Sequence, residues 1–339
     1  MSSYWIKTED WHTAGEPFRI VSTLPPDTLP SSPTVALRRQ AILSTPHHPL
    51  DTLRRQLCHE PRGHADMYGG FLTPPDDAGA HFGVLFWHAD GFSTACGHGT
   101  IALGYWAVST GVVKAAGDGV VDVVVDVPSG RVVARVGVQG GRPVHADFVN
   151  VASYVLARGL GVEIQGGRVE VDLAFAGAVY ATLDAAQVGL RVQPGNANRF
   201  VELGREVKKA LGQRAHYGDY DCYGVIFYHE DDAGADPVRQ TNVTVFADGQ
   251  IDRSPCGSGT GARLAVLLAE GRLGAGRSKL IHGSIVGSTF EGDIVSEETS
   301  PIEGGAPACI PRVRGYANLV GRMEFFIDPE DPVLPFTLR

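Results

Sequence analysis

Two stretches of this chain, far apart in sequence, follow one plan. Trp87-His88-Ala89-Asp90-Gly91 leads through Phe92 to Ala95-Cys96-Gly97-His98-Gly99-Thr100, and Phe246-Ala247-Asp248-Gly249 leads through Ile251 to Pro255-Cys256-Gly257-Ser258-Gly259-Thr260. Each reads as an aromatic strand end, an Ala-Asp-Gly turn, a short loop, Cys-Gly-x-Gly-Thr, and then an apolar helix. The second copy carries two more loop residues, and its cysteine stands 160 positions after the first. Self-similarity of that length and order implies two structurally similar halves. A chain of 339 residues has room for two domains, each with its own core.

The rest of the pattern places the fold class. Strand-length apolar or alternating runs occur at Gly83–Trp87, Val120–Val127, Arg131–Val138, Val169–Phe175, Val225–Tyr228 and Val243–Phe246. Helical patterns are fewer: Ile101–Val108, Asn198–Leu211 and Gly261–Leu268, with weaker ones at Thr34–Leu43 and Pro49–Leu57. Many strands with a few helices predict α+β. The expected division is a first domain over 1–150 and a second over 151–319, with about 320–339 returning to the first.

Composition narrows the function. A net charge of −9 leaves no basic excess to neutralise phosphates, so nucleic acid is not an expected partner. The N-terminal segment carries Lys7, Glu9, Asp10 and His12 before any apolar run, which does not fit a signal peptide, and no stretch reaches membrane-span length. The cysteines at 58, 96, 222, 256 and 309 form no CxxC and no ladder of spacings. Reduced thiols in a cytoplasmic protein are the expectation. Each cysteine is then either a small buried hydrophobe or a reactive group.

Cys96 and Cys256 have the frame of a reactive group. A cysteine opening an apolar helix through Gly-x-Gly-Thr sits where unpaired backbone N–H groups converge and the helix dipole is positive. Such a setting lowers a thiol pKa from about 8.5 to roughly 3.5–7.5. The glycines let a ligand approach, and the free N–H groups suit a carboxylate. Two such sites, related by pseudo-symmetry, face one ligand if the halves pack about a twofold axis. Inverting a stereocentre needs a base on one face of a carbon and an acid on the other, and two thiols poised near neutral pH fit those roles. As a facing pair they would titrate as a coupled unit.

With those residues in view, the chain resembles the proline racemase family across nearly its whole length. The matching blocks are His12-Thr13-Ala14-Gly15-Glu16-Pro17-Phe18-Arg19-Ile20-Val21, Pro61-Arg62-Gly63-His64-Ala65-Asp66-Met67-Tyr68-Gly69, Ala95–Thr100, and Asp252-Arg253-Ser254-Pro255-Cys256-Gly257-Ser258-Gly259. The resemblance implies two pseudo-symmetric α/β domains of the diaminopimelate epimerase type, with the active site between them, in a homodimer. It implies no pyridoxal phosphate, metal or nicotinamide. It casts Cys96 and Cys256 as the two bases, and Gly97, His98, Gly257 and Ser258 as holders of the substrate carboxylate. Asp252 becomes the partner of the ring ammonium. His98 either donates to the carboxylate or tunes Cys96, and the sequence leaves both roles open.

Three activities share the family's scaffold: proline racemase, 4-hydroxyproline 2-epimerase and trans-3-hydroxy-L-proline dehydratase. The dehydratases usually carry Thr where this chain has Cys256, so its two cysteines point to inversion at C2 of proline or a hydroxyproline. The alternative is dehydration of trans-3-hydroxy-L-proline with Cys96 as the main base. It is favoured by Ala95 and by Thr241-Asn242-Val243-Thr244-Val245-Phe246-Ala247-Asp248, which look closer to that branch. A binding protein that has lost turnover is a third reading.

Blander readings hold elsewhere. Cys58, Cys222 and Cys309 lack the glycine frame and read as packing residues. His64 and Asp66 have no third ligand at suitable spacing, so they read as a hydrogen-bonded turn. No GxxxxGK[ST] supports nucleotide binding, and no Gly-x-Ser-x-Gly elbow supports a serine hydrolase.

Overall fold

The computed structural model describes residues 3–232 and 234–338. The chain divides into two compact units: one of residues 1–146 and 316–339, the other of 147–315. Each is α+β.

The first unit contains β1 (Tyr4–Thr13), β2 (Glu16–Val21), α1 (Val35–Ser44), α2 (Pro49–Cys58), β3 (Tyr68–Thr73), β4 (Phe82–His88), β5 (Gly91–Phe92), α3 (Gly97–Ser109), β6 (Gly119–Val127) and β7 (Gly130–Gln139). β8 (Arg142–Val149) leads into the second unit. There follow β9 (Tyr154–Ile164), β10 (Gly167–Phe175), β11 (Val179–Asp184), α4 (Ala197–Leu211), β12 (Cys222–Glu230), β13 (Val238–Phe246), β14 (Gln250–Ile251), α5 (Gly257–Ala269), β15 (Leu280–Ser284), β16 (Thr289–Glu298) and β17 (Ala308–Gly315). The last strand, β18 (Ala317–Ile327), belongs to the first unit and pairs antiparallel with β1 from Tyr4↔Ile327 to Thr13↔Ala317.

The repeat read from two short motifs extends through both units. In the first, the strands run β18-β1-β2-β3-β4-β6-β7: two antiparallel pairs, then parallel, antiparallel, parallel and antiparallel. In the second, β9-β10-β11-β12-β13-β15-β16 run in the same order with the same directions. β5 and β14 are the matching hairpin returns of β4 and β13. The two additional residues of the second copy are also placed. One enlarges the hairpin turn, where Phe246 pairs with Gln250 while His88 pairs with Gly91, and one lengthens the loop before the cysteine.

The helices form for legible reasons. α4 buries Phe200, Leu203, Gly204, Val207 and Leu211, the one-face spacing of an amphipathic helix, against the Val162–Val245 core of its unit. α2 starts on Pro49 with Asp51 in its first turn, and Thr34 caps α1 through the Leu37 N–H at 3.2 Å. The cysteine-led helices differ from these. α3 and α5 are each 13 residues long and buried nearly all round, so they are core helices with no solvent face over most of their length. Local sequence signals anticipate all five helices but reach only six of the strands. β18, an edge strand with exposed Arg322 and Glu324, and its partner β1, which carries exposed Lys7, lack the apolar run that marks the others.

A buried ion pair pins β2 on the face away from α3. Arg19 Nη2 lies 2.7 Å from Asp10 Oδ2, and Arg19 Nη1 donates to the carbonyls of Leu57 and Arg62 at 2.6 and 2.7 Å. With both charges hydrogen-bonded the pair is satisfied. Alternation along the strand turns Phe18 to the opposite face, toward the start of α3.

Candidate active site

Cys96 is the N-cap of α3, with extended backbone at φ −156°. The Gly99 N–H donates to its sulfur at 3.2 Å, and Thr100 returns its hydroxyl to the Cys96 carbonyl at 2.8 Å. Gly99 is required there by close approach: a Cβ would stand 2.5 Å from Phe18 Cε2 and 2.8 Å from the Cys96 sulfur. His98 follows on the first turn, with Nδ1 at 3.4 Å from Cys96 Sγ. Its ring meets Tyr68 and Phe18 edge-on, at centroid distances of 4.9 and 5.8 Å. Burial lowers the His98 pKa to about 3, against a hydrogen bond to the Pro17 backbone that raises it. His98 is therefore uncharged at neutral pH, and what it offers the Cys96 sulfur is a hydrogen bond, not positive charge. The preceding loop, Ser93 to Ala95, has no acidic residue, and the Ser93 hydroxyl hydrogen-bonds Tyr68.

Cys256 is the N-cap of α5 and accepts from the Gly259 N–H at 3.3 Å. Its backbone sits at φ +64°, a left-handed conformation that costs a non-glycine residue on the order of 1–3 kcal/mol. The loop ahead of it is acidic. Asp252 Oδ1 accepts from the Ser254 N–H and hydroxyl at 2.8 and 2.7 Å, and the Ser254 hydroxyl accepts from the Cys256 N–H at 3.1 Å. These bonds brace the strained turn. Burial raises the Asp252 carboxyl to about 6, even though the Ser254 bonds act the other way. The Tyr180 hydroxyl lies 3.9 Å from the Cys256 sulfur.

One expectation is corrected here. The helix start alone favours thiolate at both cysteines, yet burial and the nearby Asp252 charge push Cys256 well above the ordinary thiol range, overriding the Gly259 N–H. Cys256 is a thiol at neutral pH. The dipole of one helix end is worth about 0.3–1 kcal/mol at an ordinary site, less than the desolvation of a buried anion.

The other site residues named from sequence fall on the same two helix starts. Gly97 and Gly257 are the first residues of α3 and α5. Ser258 occupies in α5 the place of His98 in α3, and its buried hydroxyl has no hydrogen-bond partner among the described residues. An orphaned buried hydroxyl costs free energy that a ligand can recover. The packing cysteines behave as such: burial takes Cys222 to about 11 and Cys309 to about 12, and Cys58 is fully buried. His64 closes a turn by accepting from the Asp66 N–H at 3.3 Å, and no cluster of metal-binding side chains occurs among the described residues.

Sequence reasoning missed Phe18 and Tyr180, the aromatic residues beneath the two helix starts. Phe18 lies inside a matching block but carries no chemical signal, and Tyr180 lies outside every motif. Only strand pairing brings them in.

Comparison with known proteins agrees on one family. The proline racemase family model matches residues 9–335. The chain is 40% identical over 340 residues to a 3-hydroxyproline 2-epimerase of Burkholderia multivorans, covering 97% of this chain and 96% of that protein. It is 38% identical over 334 residues to a trans-3-hydroxy-L-proline dehydratase of Bacillus cereus, covering 96% and 95%. Among solved structures, the hydroxyproline epimerase of Agrobacterium vitis with bound trans-4-hydroxy-L-proline matches with a TM-score of 0.88 at 27% identity, covering 98% of this chain and 96% of that one. No helix among the described residues is long and apolar enough to cross a membrane.

Proposed function

This chain belongs to the proline racemase family, and we propose that it inverts C2 of a hydroxyproline or proline with Cys96 and Cys256 as paired base and acid. The thiolate of one cysteine takes the C2 proton, and the thiol of the other returns a proton to the opposite face. The substrate leaves as its epimer, with one proton moved between the sulfurs. This reading requires both sulfurs to reach one carbon. The thiols supply acid and base themselves, so the chemistry calls for no cofactor.

The observation that carries the reading is the second thiol, set on a duplicate of the first helix start beside a buried carboxylate. In this reading Asp252 receives the ring ammonium. Gly97, Gly257 and their helix N–H groups receive the carboxylate together with Ser258, whose hydroxyl is otherwise unpartnered. His98 tunes Cys96. A carboxylate held by helix N-termini stabilises the carbanionic transition state, which a weakly acidic C2–H demands.

The names of the relatives make 3-hydroxyproline the first substrate to try, followed by 4-hydroxyproline and proline. In heavy water the expected product is the C2 epimer carrying deuterium at C2, with the ring otherwise intact. Recovery of imine alone, with no epimer, discards the proposal.

A second reading has its own support: relatives named as dehydratases, and a Cys256 held as thiol. Dehydration of trans-3-hydroxy-L-proline needs one base. Cys96 would take the C2 proton, the C3–O bond would break, and hydroxide would leave as water after taking a proton. The resulting enamine tautomerises to the imine.

A further inference from the structure

The repeat makes one asymmetry visible that the motifs do not contain. In the second unit Tyr180 pairs with Gly224, which pairs with Phe246. In the first, Arg19 pairs with Gly69 and Tyr68 with His88, so Phe18 is the residue level with Tyr68 and His88. Phe18 and Tyr180 thus hold the same position, on the third strand of each unit's order, beneath the cysteine-led helix. The difference is one hydroxyl group. On Tyr180 it points at the Cys256 sulfur, 3.9 Å away, while Phe18 presents only its ring edge near Cys96 and Gly99.

We propose that Tyr180 is a positioning residue for Cys256: its hydroxyl accepts from the thiol and turns to donate to the sulfur when the proton leaves. This rests on the reading of Cys256 as the acid of the reaction. A buried phenol needs a polar partner, and the sulfur provides it. A hydroxyl can reverse its role by rotating about one bond, so it serves both protonation states without moving a heavy atom. A donor to the ionised form makes the proton easier to lose.

The surroundings leave this task to few groups. From the loop ahead, Asp252 also accepts from the Cys256 thiol and opposes ionisation of the sulfur, with Arg253 next to Asp252 in the chain. From α5 itself the Gly259 N–H assists, as does Thr244 from β13. Tyr223 of β12 meets the Tyr180 ring edge-on at 5.7 Å. Tyr180 and Cys256 share a buried apolar cluster with Ala176, Ala178, Ile226, Ala262 and Val266. Tyr180 itself stays protonated, because burial and the neighbouring Cys256 raise its pKa well above the ordinary value. It donates a hydrogen bond and never the proton.

The test follows iodoacetamide alkylation of Cys256 and Cys96 separately, by peptide mass, against pH in the full chain. Tyr180→Phe is expected to move the Cys256 midpoint up by about one pH unit, the scale of a lost hydrogen bond to a charged group, and to leave Cys96 in place. The alkaline limb of kcat/KM should move up with it. Replacing Tyr180 by 3-fluorotyrosine, a stronger donor of nearly the same size, is expected to move the midpoint down. Phe18 shows that a phenylalanine ring suits this position in the fold, and Tyr223→Phe serves as a packing control that leaves the midpoint alone. An unchanged Cys256 midpoint in both Tyr180 variants overturns the proposal, as does an equal shift at Cys96. Alkylation needs no turnover, so a protein that never epimerises can still pass or fail this test.

Discussion

The two cysteine-led helix starts share a backbone plan but differ in electrostatic setting. Beside Cys96, on an extended N-cap, stands an uncharged imidazole whose ring Phe18 and Tyr68 meet edge-on. Around Cys256 stand a carboxyl, a phenol and a strained left-handed N-cap. Strand order, helix length and the sulfur-to-glycine bond are the same in both. The shared features are those that build a helix start, and the differences lie in the loop residues, in His98 against Ser258 and in one aromatic. A reaction that takes a proton from one face and gives one to the other has a use for two unlike partners, because base and acid must begin in different states.

The sharpest way to break this comparison is to remove each sulfur in turn. Cys96→Ser and Cys256→Ser are each expected to lower C2 epimerisation by a factor of about 10²–10⁴, the usual range for a lost general acid or base. If the protein instead dehydrates trans-3-hydroxy-L-proline, Cys256→Ser keeps most of that activity and Cys96→Ser does not. Equal sparing by both variants would end the assignment of either cysteine.

Asp252→Asn tests the charge carried by one half only. A carboxyl raised to about 6 stabilises the fold fully below its ordinary value of 3.8, and that contribution is lost as pH climbs through 6. The variant lacks this loss. Its melting temperature relative to the parent should rise between pH 4 and 7, by the equivalent of at most about 3 kcal/mol. Its KM should rise about tenfold or more at neutral pH, where the ammonium has lost its anion. A melting difference that is flat with pH would show that Asp252 is not held protonated.

Packing gives a smaller contrast. Gly99→Ala forces a methyl within 2.5 Å of the Phe18 ring, whereas at Gly259 the nearest groups are the Cys256 sulfur at 2.8 Å and Ile226 Cδ1 at 3.0 Å. A ring edge yields less readily than the end of an isoleucine. Both variants should unfold more easily by about 1–3 kcal/mol, with Gly99→Ala the worse in urea titration. The reverse order would mean the two helix starts are not packed alike.

Ser258→Ala is the mildest change. The lost hydroxyl has no partner in the protein, so stability should hold or rise by a few tenths of a kcal/mol. KM should rise about fivefold, reflecting about 1 kcal/mol of lost substrate hydrogen bonding. A stability loss above about 1 kcal/mol, with KM unchanged, would make Ser258 a structural residue.

Much of the fold was legible because its signals are local. All five helices, α4 above all, carry their periodicity or cap signals within one short window. The strands read correctly, such as β6, β7 and β13, are apolar runs bounded by glycine or turn residues. β18 was not legible. Its side chains are half exposed along most of its length, and its partner β1 lies at the other end of the chain. The candidate site divides the same way. Cys96, Gly97, His98, Asp252, Cys256, Gly257 and Ser258 lie in two contiguous strings, so one reading finds them all. Tyr180 lies 76 positions from Cys256 and reaches it through the parallel pairing of β11 with β12.

Sequence alone determined that this chain is a duplicated α+β protein with a thiol at the head of each of two buried helices. Glycine spacing, turn residues and apolar runs act over a few bonds and are written in order. Only tertiary structure decided how firmly the Cys256 sulfur keeps its proton. That depends on how much water is excluded around it and on which hydroxyl, carboxyl or ring the strand order delivers to it. Burial moved Cys256 away from the ionised state that its helix end favours, and no local pattern carries that information.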